Sequence, residues 1–98
     1  MTECIFCKIV DKKIPASIVY EDKQLLAFKD INPLDNVHLL IIPKKHIESL
    51  LKCDDTHKEI LAKMLLLAPK LALENGLKGF STMINSGTEG GQEVFDIN

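Results

Sequence analysis

No apolar run in this sequence approaches the ~20 residues that a membrane-spanning helix requires. The amino terminus, Met1-Thr2-Glu3-Cys4, has no basic stretch leading into an apolar one, so it does not read as a secretory signal. Positive charge is not in excess either. The formal net charge is −2, and surfaces that grip nucleic acid are strongly basic, so neither a nucleic-acid nor a membrane partner is expected. Cysteine is scarce and odd in number, three residues, which fits a reducing cytoplasm better than a disulfide framework. The sequence holds no repeat, low-complexity tract or linker. What is present is a chain of 98 residues, 46% of them hydrophobic, enough for one modest core, so residues 1–98 read as a single domain.

Residues 4–10 are short and mostly apolar and read as a brief helix, punctuated by Pro15. Residues 17–20 and 25–28 read as strands around the polar turn Glu21-Asp22-Lys23. Asp30-Ile31-Asn32-Pro33 is a turn, with Pro33 biasing Asn32 to an extended backbone. Residues 37–42 are apolar on both faces except for His38, the pattern of a central, doubly covered strand. The long helix spans 56–75. Thr56 and Glu59 form a capping box at its start, and Ile60, Leu61, Met64, Leu65, Ala68, Leu71 and Ala72 make one apolar face. Gly76 suits the position after its end, while Pro69 removes one backbone bond and is expected to kink it near Leu65. Residues 80–85 and 93–98 read as strands joined by the loop 86–91. Short-looped strands with one long helix imply an antiparallel α+β sheet.

Some of these positions carry chemistry. Cys4 and Cys7 make a C-x₂-C pair, half of a zinc site, or else two reduced thiols on an apolar turn. Asp30, directly after a strand, offers a carboxylate to a ribose diol, or else caps its own turn. Gly90 and Gly91 let a backbone approach a phosphate closely, or else supply the positive φ of a hairpin loop.

Cys4-Ile5-Phe6-Cys7-Lys8-Ile9, Phe28-Lys29-Asp30-Ile31-Asn32-Pro33, His38-Leu39-Leu40-Ile41-Ile42-Pro43-Lys44-Lys45-His46 and Asn85 with Gly90-Gly91-Gln92 together resemble the Hint branch of the histidine triad (HIT) family. Those proteins are nucleoside phosphoramidases and nucleotide-binding hydrolases. The resemblance implies a homodimer whose subunit is an antiparallel sheet of about five strands with one long helix and a short N-terminal helix. It implies a purine nucleoside or nucleotide as ligand. Asp30 would hold the ribose, Ile5, Phe6, Ile9, Phe28, Ile31 and Leu40 would wall the base, and Asn85, Gly91, Gln92 and Glu93 would lie at the phosphate. It also implies a structural zinc on Cys4, Cys7, His46 and Asp96, a set in which Asp96 takes the place of a histidine.

The same resemblance exposes a gap. The Gly-Gly-Gln-x-Val-aromatic segment of the family leads into His-x-His-x-His, and here the first two histidine positions are Asp96 and Asn98. The third falls beyond the sequence, so the domain is expected to be truncated in its last strand. The family nucleophile is the second of those histidines, and the amide at Asn98 cannot replace it. His38 matches the upstream histidine that supports the nucleophile. The expectation is a nucleotide-pocket protein with impaired catalysis, the alternative a non-catalytic dimeric binding or interaction module.

Overall fold

The computed structural model describes residues 4–98. Helix α1 (Ile5–Val10) is followed by strands β1 (Ile18–Glu21), β2 (Leu25–Lys29) and β3 (Leu39–Pro43), and then by the long helix α2 (Lys58–Glu74). The strands pair antiparallel in the order β1-β2-β3. Asp22 makes the first turn tight. Its Oδ1 accepts from the amides of Gln24 and Leu25, both at 2.7 Å, while its Oδ2 accepts from the Tyr20 hydroxyl at 2.7 Å.

β2 organises the interior. Successive strand residues point to opposite faces, and four consecutive residues of β2, Leu25 to Phe28, are buried. Leu25 and Ala27 join Ile47, Met64, Leu67, Leu71 and Ile97 in the core beneath α2. Leu26 and Phe28 join Phe6, Ile9 and Ile42 beneath α1, with the Phe6 and Phe28 rings edge to face at 5.5 Å. The doubly covered central strand is therefore β2. β3, which carries most of the 37–42 run, has no neighbour beyond it among the described residues, and His38 stands just before it.

α2 begins later than its capping signature suggests. A single 3-10 turn, Asp55–His57, precedes it, and Asp54 with His57 forms the capping box in place of Thr56 with Glu59. The Asp54 carboxylate accepts from the Thr56 amide at 2.9 Å, and His57 Nδ1 accepts from the Asp54 amide at 3.0 Å. A carboxylate is the stronger acceptor, which explains why the cap falls on Asp54 and not on Thr56. The helix runs through Pro69 without a break. It closes on Gly76 at φ 70°, where the Leu77 amide reaches the Ala72 carbonyl and the Gly76 amide that of Leu73.

The sheet has three strands among the described residues, not about five. The expected strands at 80–85 and 93–98 are irregular. The backbone of the last segment is engaged elsewhere: the Ile97 amide donates to the Ile47 carbonyl at 2.7 Å, and the Ile47 amide donates to the Asp96 side chain at 3.3 Å. Among the described residues, 80–85 have no ladder partner, and Phe80 and Met83 are exposed.

Candidate functional site

Two clusters of polar side chains stand on this framework. The first is built at the start of α1. Cys4 is its N-cap, and its Sγ accepts from the Cys7 amide at 3.4 Å, so both thiols face one end of the helix. His46 comes from the loop leaving β3, and Asp96 from the last segment. Asp96 Oδ2 lies 3.5 Å from Cys4 Sγ, 3.7 Å from Cys7 Sγ and 3.5 Å from His46 Nδ1, and Cys7 Sγ lies 3.1 Å from His46 Nδ1. All four donor atoms fall within 4.8 Å of one another. Zinc bonds of about 2.0–2.3 Å in a tetrahedron put donors about 3.3–3.8 Å apart, so the donor set fits that ion in spacing and in chemistry.

The electrostatics of the quartet point the same way. Asp96 is 1% exposed. Burial raises its carboxyl above the usual range, against the pull of the Ile47 amide and His46. Burial, reinforced by the neighbouring Cys4 and Asp96, pushes the Cys7 thiol up to about 12. Three acidic groups crowd one imidazole, and a divalent cation would displace their protons. The Ile47 amide, which orients the Asp96 carboxylate through Oδ1, is a contributor that no side-chain pattern reveals.

The second cluster opens onto a cleft of about 890 Å³ between β3, α2 and residues 79–85. Asp30, His38, Leu40, Asn85, Glu93 and Asn98 all line it. The pairing of β2 with β3 sets Lys29 against Leu39, so the next pair is Asp30 and His38, tied by the Asp30 amide donating to the His38 carbonyl at 3.0 Å. Their side chains meet as well, with His38 Nε2 3.3 Å from Asp30 Oδ2. Asp30 Oδ1 accepts from the Asn32 amide at 2.9 Å, and His38 Nδ1 accepts from the Leu34 amide at 2.9 Å. Nδ1 therefore carries a lone pair and Nε2 the proton. The Asn98 amide nitrogen donates to the Asp96 carbonyl at 2.7 Å.

The remaining sequence candidates are dispersed. Phe6, Ile9 and Phe28 are buried in the core beneath α1 and do not line the cleft. Ile5 borders a separate hollow of about 410 Å³ beside Cys4 and His46. Ile31 is 89% exposed. Gly91 takes φ 86° at the end of the 3-10 turn Thr88–Gly90, a backbone that glycine tolerates, with the Asn85 side chain 3.7 Å from where a Cβ would stand.

Gln92 is buried and works inside its own loop. Its Oε1 accepts from the Gly87 amide at 2.9 Å, and its Nε2 donates to the carbonyls of Glu48 at 2.8 Å and Val94 at 3.1 Å. Gln92→Leu strands those three backbone groups. It is expected to destabilise the protein by about 2–4 kcal/mol in urea unfolding, and a loss below about 0.5 kcal/mol would remove the stapling role.

Comparison with known proteins agrees with this architecture. Residues 3–98 match the family model described as "Scavenger mRNA decapping enzyme C-term binding". The chain is 52% identical over 98 residues to Protein HitA of Neisseria gonorrhoeae, covering 99% of this chain and 92% of that protein. It is 43% identical over 98 residues to a 14 kDa zinc-binding protein of Brassica juncea, covering 97% and 87% of the two. The structure superposes on a HIT family hydrolase from Legionella pneumophila with a TM-score of 0.94 at 48% identity, over 97% of this chain and 87% of that one. With this likeness in sequence and fold along nearly its whole length, the chain belongs to the histidine triad (HIT) family.

Proposed function

We propose that this protein binds a purine nucleoside or nucleotide in the cleft beside Asp30, that it is the phosphoramidase or nucleotidyl-hydrolase type of HIT protein with its catalysis lost, and that it works in the cytoplasm. The observation that carries the reading is the Asp30 carboxylate, which lines an 890 Å³ cleft, accepts from the Asn32 amide and lies 3.3 Å from His38 Nε2. Asn85 and Glu93 stand on the same walls, as a phosphate-end neighbourhood would. The loss of catalysis rests on Asn98, at the family's nucleophile position. Its amide lone pair is delocalised and its nitrogen is committed to the Asp96 carbonyl.

Cys4, Cys7, His46 and Asp96 would hold a structural zinc, which supplies a cross-link between α1 and the last segment and takes no part in phosphate chemistry. The zinc-binding relative supports this assignment. Leu65, Leu66 and Leu73 on α2, with Phe80 and Met83, favour a second reading as a dimeric binding module, because they leave apolar surface without cover in one chain.

Titration calorimetry with adenosine and adenosine monophosphate tests the cleft. Saturable binding with Kd below about 1 mM, weakened about tenfold by Asp30→Ala, is expected. Absence of any saturable heat, together with a stable dimer in sedimentation, would move the assignment to the interaction module.

A further inference from the structure

Two thiols meet at the start of α1, each with an acceptor for its proton. The Cys4 thiol donates to Asp96 Oδ2 at 3.5 Å. The Cys7 thiol has His46 Nδ1 at 3.1 Å and Asp96 Oδ2 at 3.7 Å. We propose that Cys4 and Cys7 are a redox-active pair: hydrogen peroxide closes them to a disulfide, and closure frees the last segment, residues 95–98, from its seat beside Ile47. The proposal does not rest on the nucleoside reading of the cleft, and it needs no metal.

Both sulfurs are half-buried, so a small oxidant reaches them. They lie within 4.8 Å of each other, with only two residues between them in the chain. Closure takes two steps. One sulfur attacks a peroxide oxygen. The S–O bond forms, the O–O bond breaks, and the leaving hydroxide takes that thiol's proton and departs as water. The other sulfur then attacks the sulfenic sulfur. The S–S bond forms, the S–O bond breaks, and the second hydroxide departs as water with the second proton. Each sulfur gives up one electron and each peroxide oxygen takes one. His46 and Asp96 stand where they can relay the protons. Cys53 is the contrast. Its thiol donates to the Ser49 carbonyl at 3.6 Å, apart from the pair, so no second thiol resolves a sulfenic acid there.

Closure changes what Asp96 meets. A disulfide has no S–H, so both sulfur donors to Oδ2 are lost together. Asp96 is 1% exposed, and a buried carboxylate short of donors is destabilised. What remains is the Ile47 amide at 3.3 Å on Oδ1 and His46 beside Oδ2. Asp96 gains by turning out to water, and Ile97 and Asn98 move with it. The Ile97 amide then leaves the Ile47 carbonyl, and the cleft loses two of its lining residues. Zinc would act in the opposite sense, because it takes both sulfurs and the carboxylate at once. Oxidation and metal therefore exclude each other.

Metal-free protein is treated with hydrogen peroxide and followed by mass spectrometry and by amide exchange in NMR. A loss of about 2 Da, mapped to a Cys4–Cys7 cross-link in a peptide digest, is expected. Exchange of the Ile97 amide should quicken by about tenfold or more over the reduced protein, while the β2 amides stay as protected as before. A dithiol reductant should reverse both changes. Cys53→Ala should respond as the unaltered protein does, and Cys7→Ser should show neither change on treatment. Protein loaded with zinc should release one ion per disulfide, followed with a chromogenic chelator. Oxidation confined to Cys53, or none that joins Cys4 to Cys7, overturns the redox pair. A disulfide with unchanged Ile97 exchange overturns the link to the last segment. Zinc retained through disulfide formation overturns the exclusion.

Discussion

Adenosine 5′-phosphoramidate is expected to survive incubation with this protein. In the reaction of the family, an imidazole nitrogen attacks the α-phosphorus, and water then releases the nucleotide. That needs a lone pair in the plane of the ring, aimed at phosphorus and basic enough to bond. Asn98 offers an amide whose nitrogen lone pair is shared with its carbonyl and whose N–H already points at the Asp96 carbonyl. His38 cannot step in. Its in-plane lone pair on Nδ1 accepts the Leu34 amide, so it is not free to attack phosphorus. Removal of a covalent nucleophile costs on the order of 10⁶ in turnover in a well-studied hydrolase, and a loss of that order is expected here relative to a HIT protein with histidine at the position. The measurement is phosphate-ester release followed by chromatography over hours, beside such a relative and the Asn98→His variant. Turnover in the unaltered chain within about tenfold of the relative would show that another group is the nucleophile. A gain in Asn98→His would show that the rest of the cleft still fits the reaction.

Removal of zinc is the second large effect. The purified protein is expected to carry one zinc per chain, measured by elemental analysis, and Cys7→Ser is expected to lose it. A ligand that binds only the folded state stabilises it by about 4 kcal/mol at a free concentration a thousandfold above its Kd. In a domain of this size that is roughly 15–30 °C in Tm. The melting temperature should fall by such an amount on chelation, and an unchanged Tm would remove the metal from the fold.

The pH dependence follows from the two raised groups. Metal binding requires thiolates, and the Cys7 thiol is pushed up to about 12. Two thiol protons leave per ion bound, so zinc affinity should drop by about 100-fold for each unit of pH lost below the thiol range. Without metal the sign reverses for Asp96. Its carboxyl is raised above its ordinary 3.8 in the folded state, so the folded state holds the proton more tightly than the unfolded one. Its contribution is then most favourable below 3.8 and is lost as pH climbs through the raised value. Chelated protein should therefore lose stability over a window in which the metal-bound form does not.

That residues 25–28 form a strand was readable, but that both faces of this strand are covered was not, since the apolar run at 37–42 offered the same pattern. Part of the stripe of α2 was too: Met64, Leu71 and Ala72 of it are buried, while Leu65 of it is exposed and Leu67, outside it, is buried. What the stripe did not reveal is that Leu65 and Leu66 turn outward, since an apolar side chain is spelled the same on either face. Phe6, Ile9 and Phe28 illustrate the same limit. Composition cannot separate the wall of a base pocket from the filling between a helix and a sheet, and here these three side chains fill. The two extra strands were written from β-prone residues at 80–85 and 93–98, but a strand exists through its ladder, and the last segment spends its hydrogen bonds on Ile47. Cys4 and Cys7 announced themselves by spacing. Their neighbours His46 and Asp96 lie far along the chain, and only the family likeness tied them in. The contact between His38 and Asp30 needed the register, which no local pattern states.

That register has a further consequence. Were β3 to slip by one residue against β2, Leu40 and Ile42 would exchange faces with Leu39 and Ile41, and the fit of both cores would fail together. The same slip would carry His38 off Asp30. Cleft geometry and core packing are therefore one cooperative choice. A misregistered chain would part Asp30 from His38 and would also be too poorly packed to persist, so molecules stable enough to accumulate are those in which the two are aligned.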